Sequence, residues 1–268
     1  MGLFNAFLDE QIRAIEDTKV KINKRKGVIA FIRIFPSFSA TIEAMLTSAG
    51  ELEIREKVNA AYGRINKTMF ESLKIIAREI PSVNTPGAPM SDPEDKEALN
   101  YQILFIENMN HYVEEVDTKS NPILEEWKEK AAQELDEHLT IYLGAVIRRP
   151  LGKLIDFIES TENYIPDFGG SIAERASHSK LVIKRLLATY DSKEIRRGIE
   201  KLRMRVEKHF GDADDPGLSK GLVTKVIDAC EKYYINVEER LEAINKDIYD
   251  GEAGIEWTRA DVTTSFKK

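Results

Sequence analysis

"LEEWKEKAAQELDEHLTIYLGAV", residues Leu124 to Val146, sets Leu124, Trp127, Ala131, Leu135, Leu139, Tyr142 and Val146 three or four positions apart. An α-helix turns every 3.6 residues, so this spacing gathers all seven on one face and sends most of the charged residues between them to the other. A half-buried strand needs apolar residues at every second position, and that alternation is absent. The stretch reads as one long amphipathic rod, with Pro150 just beyond it either kinking the rod or opening a new segment through Phe157.

The same period recurs on both sides. Phe4, Leu8, Ile12 and Ile15 mark a first helix, and Phe31, Phe35, Phe38, Ile42 and Met45 a second, in which Pro36 is expected as a kink or break. Val58 to Ile80 give a third. The proline-rich stretch 81–92 reads as a loop, and "SDPE" as a cap with Pro93 in the first turn of the next helix, which carries Leu99, Ile103, Ile106, Val113 and Val116. Ile103 and Leu139 sit centrally in their apolar rows and are expected in the core. Downstream, "IPDFGGS" breaks the chain, and helices are expected over Ile172 to Leu187, Ile195 to Phe210 and Leu222 to Ile248. Thr258, three residues before Asp261, is a cap for a short last helix. These elements predict an all-α fold, an elongated stack of antiparallel helical bundles. Residues 1–164 form a first bundle with the loop 81–92 and residues 171–268 a second, unless the two run on as one continuous rod.

Composition narrows the function. With 42% apolar and 32% charged residues over 268 positions the chain can bury a sizeable core. A formal charge of -7 argues against a nucleic-acid partner, because phosphate neutralisation needs a cationic surplus. Cys230 alone can make neither an intramolecular disulfide nor a cysteine zinc site, which fits a reducing, cytoplasmic setting. No apolar run approaches the roughly 18 residues of a membrane span, and Asp9 and Glu10 interrupt the start where a secretory signal stays apolar. Gly2 suggests myristoylation, but Ala6 stands where Ser or Thr belongs.

Catalytic and metal motifs are weak. None of the four histidines has a Glu three positions before it, so the carboxylate pattern of di-iron bundles is missing. "DADDPG" imitates the start of a calcium loop, but Pro216 takes a ligand position and Val223 stands where the bidentate Glu belongs, leaving an acidic inter-helix turn. Glu107, His111 and Glu115 share a face and read as a solvated row. No phosphate-binding loop, dinucleotide fingerprint or nucleophile elbow is present, and Cys230, among Val226, Ala229 and Tyr233, reads as a small core residue. The expectation is a protein without catalytic residues, metal, cofactor or small-molecule substrate.

Two basic features remain. "KVKINKRKGVIAFIRIF", Lys19 to Phe35, reads as a helix end and a turn at Lys26-Gly27 before an apolar helix enters the core. In "KEIRRGIEKLRMRVEKHF", Lys193, Arg197, Lys201, Arg205 and Lys208 form a stripe beside the apolar row Ile195, Ile199, Leu202 and Val206. That stripe is a candidate surface for an anionic lipid or an acidic partner, unless Glu194, Glu200 and Glu207 blunt it into an ordinary solvated face.

"EQIRAIEDTKVKINKRKGVIAFIRIFPSF", "ENMNHYVEEV", "YLGAVIRRPLGKLIDFIESTE", "YDSKEIRRGIEKLRMRVEKHF" and "IEWTRADV", in that order, resemble the carboxy-terminal region of the exocyst component 1 (Sec-three) family, in a form that looks filamentous-fungal. The loop 81–92 and the turn 212–217 depart from the family and read as peripheral insertions. The resemblance implies a helical-rod tethering fold, other exocyst subunits as partners, and a cytoplasmic protein recruited to plasma-membrane sites of polarised secretion. It also implies a fragment or a truncated gene model, since the family's amino-terminal lipid- and Rho-GTPase-binding domain and its coiled coil have no counterpart here. Two functions follow: a structural module of the exocyst acting through protein contacts, with at most weak contact to anionic membrane, or an autonomous peripheral membrane-binding module using the basic stripe.

Overall fold

The computed structural model describes residues 2–18, 27–46, 52–79, 99–211 and 216–267, and among these it contains nine α-helices and no strand. In order they are α1 (Gly2–Glu16), α2 (Ala30–Leu46), α3 (Leu52–Glu79), α4 (Asn100–Lys119), α5 (Glu125–Phe168), α6 (Lys180–Leu187), α7 (Ser192–Phe210), α8 (Pro216–Tyr249) and α9 (Arg259–Phe266). The all-α expectation holds. The basic run Lys19 to Lys26, the loop 81–92, the "SDPE" cap and Asp212 to Asp215 of the acidic turn lie outside the described residues. Gly27 is described, and its φ of 83° is the left-handed backbone expected of a glycine at a turn.

The described chain divides into two compact units, Met1–Tyr142 with Asp212–Leu222, and Leu143–Gly211 with Val223–Lys268. The expected boundary near residues 166–170 falls inside the second of these.

In the first unit α2 packs on α4, α1 on α3, and α3 on both α2 and α4. Their shared core includes Ile32, Met69, Leu73, Phe105, Met109 and Tyr112, with Trp127 and Leu135 of α5 packed against it. Phe70 meets Tyr112 and Trp127 edge-on at 5.4 and 5.6 Å, the geometry that sets a ring's positive edge on a negative face. Some polar groups inside this core are paired across elements. The Tyr112 hydroxyl donates to Asn66 Oδ1 at 2.6 Å, and the Ile29 N–H, ahead of α2, donates to Asn108 Oδ1 of α4 at 2.8 Å. A side chain 79 residues away thus supplies the acceptor that the start of α2 lacks.

Several elements differ from the sequence reading. Pro36 neither ends nor divides α2, although it removes the bond that would reach the Ile32 carbonyl. The turn after it is fixed from outside. Ser39 is fully buried, its hydroxyl donates to the Pro36 carbonyl at 2.9 Å, and its own carbonyl accepts from Tyr62 at 3.2 Å. Pro150 likewise lies within an unbroken α5. The helix expected over Ile172 to Leu187 is α-helical only from Lys180, and before that the chain makes two 3-10 turns, Gly169–Glu174 and Ala176–His178. Leu139 is only half-buried, and its neighbour His138 is the buried residue, tilted against Phe105 with ring centroids 4.3 Å apart.

The Glu107, His111, Glu115 row is not a solvated face either. Every residue from Ile103 to Tyr112 is buried, Glu107 and His111 included, and both α2 and α3 pack on α4.

In the second unit α9 packs on α7, and a bidentate pair holds Arg240 of α8 to Glu162 of α5 at 2.8 and 2.6 Å. The expected cap is present in full. The Thr258 hydroxyl oxygen accepts from the Asp261 N–H while the Asp261 carboxylate accepts from the Thr258 N–H. The Tyr249 hydroxyl donates to the His178 carbonyl at 2.6 Å, fixing the 3-10 turn against the end of α8.

Leu73 is fully buried at the centre of the first unit, so Leu73→Ala should lower the stability of that unit by about 2 to 5 kcal/mol through lost burial and the cavity left behind. Ile141→Ala, at a side chain 47% exposed, should stay within about 0.5 kcal/mol of the parent in the same chemical denaturation.

His111, His138 and His178 are all buried, and burial holds each imidazole below its ordinary pKa, with Glu115 and Glu134 opposing at the first two and Arg175 adding to the depression at the third. The unfolded chain therefore binds these protons first. Their stability contribution is complete well above a pH of about 6.5 and is lost as pH falls from that value through the lower values of the folded state. The melting temperature should drop as the pH falls from about 6.5 to about 5, ahead of most ordinary carboxylates. A flat profile over that interval would refute the assignment.

Candidate functional site: a basic recess beside α7

Asp191 starts α7 by accepting the Glu194 N–H at 2.7 Å, and the Ser192 hydroxyl donates to the Glu256 carbonyl at 2.7 Å. The row Ile195, Ile199, Leu202 and Val206 is buried as its spacing required, with Phe210 completing it. Burial of that row fixes the rotation of the helix and so determines where the cations go. Lys193, Arg197, Lys201 and Lys208 are exposed and Arg205 is half-buried.

The structure separates the stripe into two groups. Arg197, Lys201 and Arg205 line a cavity of about 240 Å3, whose opposite wall is Arg149, Pro150 and Leu151 of α5, while Lys193 and Lys208 stay outside it. The cavity therefore carries four cations and one carboxylate, Glu194. Arg197 pairs with Glu194 at 2.7 Å with both side chains about half exposed, and such pairs are weak. Among the described residues no ion pair joins Lys201 or Lys208 to Glu200 or Glu207, so these carboxylates do not neutralise the two lysines by direct contact.

Two residues of the recess were not singled out by sequence. Arg149 stands beside Arg148 in "RRPLGK", yet the pair divides its work. Arg148 is held by Asp156 and by both oxygens of Glu159 at 2.8 and 2.6 Å, and Arg149 lines the cavity. The doubled arginine before a proline was the available signal. Tyr234 of α8 is the other. It is completely buried, its hydroxyl has no hydrogen-bond partner, and burial pushes its pKa well above the ordinary phenol value. Nothing in the local sequence distinguishes this tyrosine from Tyr233.

Gly198 explains how the walls come so near. A Cβ there would lie 3.2 Å from the Pro150 Cβ and 3.6 Å from the Tyr234 hydroxyl, tighter at the proline than most packing contacts. Glycine thus lets α7 approach α5 and keeps the phenol at the edge of the recess.

Chemically the arrangement binds anions. Four cationic side chains and a neutral donor converge, and no nucleophile is paired with a base within it. Among the described residues no cluster of three His, Cys, Asp or Glu is placed to hold a metal ion, and no helix is long and apolar enough to cross a membrane. Cys230 is fully buried, with its thiol pushed up to about 12 by loss of solvation.

These features define an all-α protein whose distinctive surface is a basic recess. The family described as Exocyst complex component Sec3, C-terminal, matches residues 1–251, and the chain belongs to it. Exocyst complex component 1 of Mus musculus is 24% identical over 216 residues, covering 79% of this chain and 22% of that protein. The Drosophila melanogaster protein of the same name is 23% identical over 214 residues, 79% of this chain and 22% of its own length. That of Dictyostelium discoideum is 23% identical over 252 residues, 92% of this chain and 26% of its own. The chain thus spans about a quarter or less of these relatives. No solved structure matches it.

The thiol at Cys230 should resist a disulfide exchange reagent at neutral pH until the protein is unfolded, because only the thiolate attacks. Rapid stoichiometric labelling of the folded chain would show that α8 opens far more readily than its packing implies.

Proposed function

We propose that this chain is a structural module of an exocyst subunit, contributing to the tethering of secretory vesicles at the plasma membrane through contacts between its helical faces and other exocyst subunits. The carrying observation is the family match over residues 1–251, which includes all the helices except α9. In this reading the module works by binding rather than by catalysis, resides in the cytoplasm, and reaches sites of polarised secretion as part of the complex. The buried row of each amphipathic helix builds the fold, and the opposite faces remain to meet partners.

Affinity capture of the whole chain from its own cytosol, followed by mass spectrometry, should recover other exocyst subunits. The reading is abandoned if the captured set is a different complex with no exocyst member.

A further inference from the structure

We propose that the recess between α5 and α7 is a binding site for a phosphate group. Clustered charge, one unsatisfied donor and the size of the cavity favour a phosphate whether or not the exocyst assignment holds.

The whole chain carries a formal charge of -7, yet Arg149, Arg197, Lys201 and Arg205 share one cavity with the single carboxylate of Glu194. Cations brought together from two helices repel one another, and a multiply charged anion relieves that repulsion more fully than any one carboxylate. Lys201 has no ion pair among the described residues, and the exposed Arg197–Glu194 pair is one that a phosphate can displace.

The Tyr234 hydroxyl is the independent observation. Buried polar groups are nearly always hydrogen-bonded, and this one, at 0% exposure, has no partner while its residue lines the cavity. A phenol held firmly protonated can donate to an anion without adding charge. Tyr234 sits on α8, whereas the cations sit on α5 and α7, so the donor set surrounds the space instead of covering a flat face. At about 240 Å3 the cavity holds a phosphate together with several waters, each of which takes about 30 Å3.

The test uses the whole chain and isothermal titration calorimetry with inorganic phosphate, at an ionic strength matched with chloride. Parallel arms use a soluble inositol bisphosphate and vesicles containing phosphatidylserine. Saturable binding of inorganic phosphate is expected. It should weaken at least about tenfold in the Arg197→Ala, Lys201→Ala double variant, since charge-assisted hydrogen bonds are the strong ones, and by a smaller factor in Tyr234→Phe. Lys193→Ala and Lys208→Ala should bind as the parent does. Tyr234→Phe keeps the ring and removes only an unpaired hydroxyl, so its unliganded melting temperature should not fall. Should it fall, the exposed Arg197 and Lys201 still decide the question.

Tighter binding of the inositol bisphosphate than of phosphate would point to a lipid headgroup as the source of the group, and equal binding to free phosphate. Either supports the site. Failure to saturate, equal losses in the Lys193 and Lys208 variants, or binding to vesicles with none to either soluble anion would overturn it in favour of a diffuse basic surface.

Discussion

The second unit is organised around the burial of one phenol. Tyr234 of α8 meets Phe266 of α9 edge-on at 5.5 Å, and its hydroxyl end faces the place where Gly198 of α7 comes against Pro150 of α5. Four helices therefore meet at one side chain. A ring of this size offers much apolar area, but only if its hydroxyl is left in a polar or roomy place. Tyr234 leaves its hydroxyl unpaired against the wall of the recess, so the packing of the unit and the cavity on its surface share this one side chain.

Charge follows from the same packing. With Ile195, Ile199, Leu202 and Val206 all buried, α7 has no rotational freedom, and its cations must emerge where a period of 3.6 residues puts them. Arg197, Lys201 and Arg205 are four residues apart, so they run along one line of the helix, and that line is the one facing Arg149. Lys193 and Lys208 lie on the same stripe but do not line the cavity. A stripe seen in sequence thus becomes a site over part of its length only, and the part is selected by α5.

This also explains what was legible in the sequence. Period and caps are local properties, and the local expectations at α1, α3, α7, α8 and the Thr258 cap match the structure. The misses share a non-local cause. Pro36 reads as a kink or break because its lost hydrogen bond is visible locally, and the break is absent where Tyr62 of α3 and Asn121 before α5 hold Ser39. The Glu107 and His111 row looked solvated because polar residues at helical spacing usually are, but coverage of α4 by α2 and α3 is invisible in any window of sequence. Half the recess was legible for the same reason. The α7 cations form a pattern along the chain, while Arg149 and Tyr234 join them only through a glycine contact between distant segments.

The family match and the packing end in different places. The matched region stops at residue 251, yet Trp257, Val262 and Phe266 beyond it are nearly or fully buried, and α9 packs on α7. The capping box at Thr258 and Asp261 starts a helix only eight residues long, too short to persist without tertiary contacts. Its partners must therefore supply its stability, and in return Phe266 closes one side of Tyr234. Burial thus continues past the limit of family similarity, and Phe266, outside the matched region, packs against Tyr234 in the wall of the basic recess.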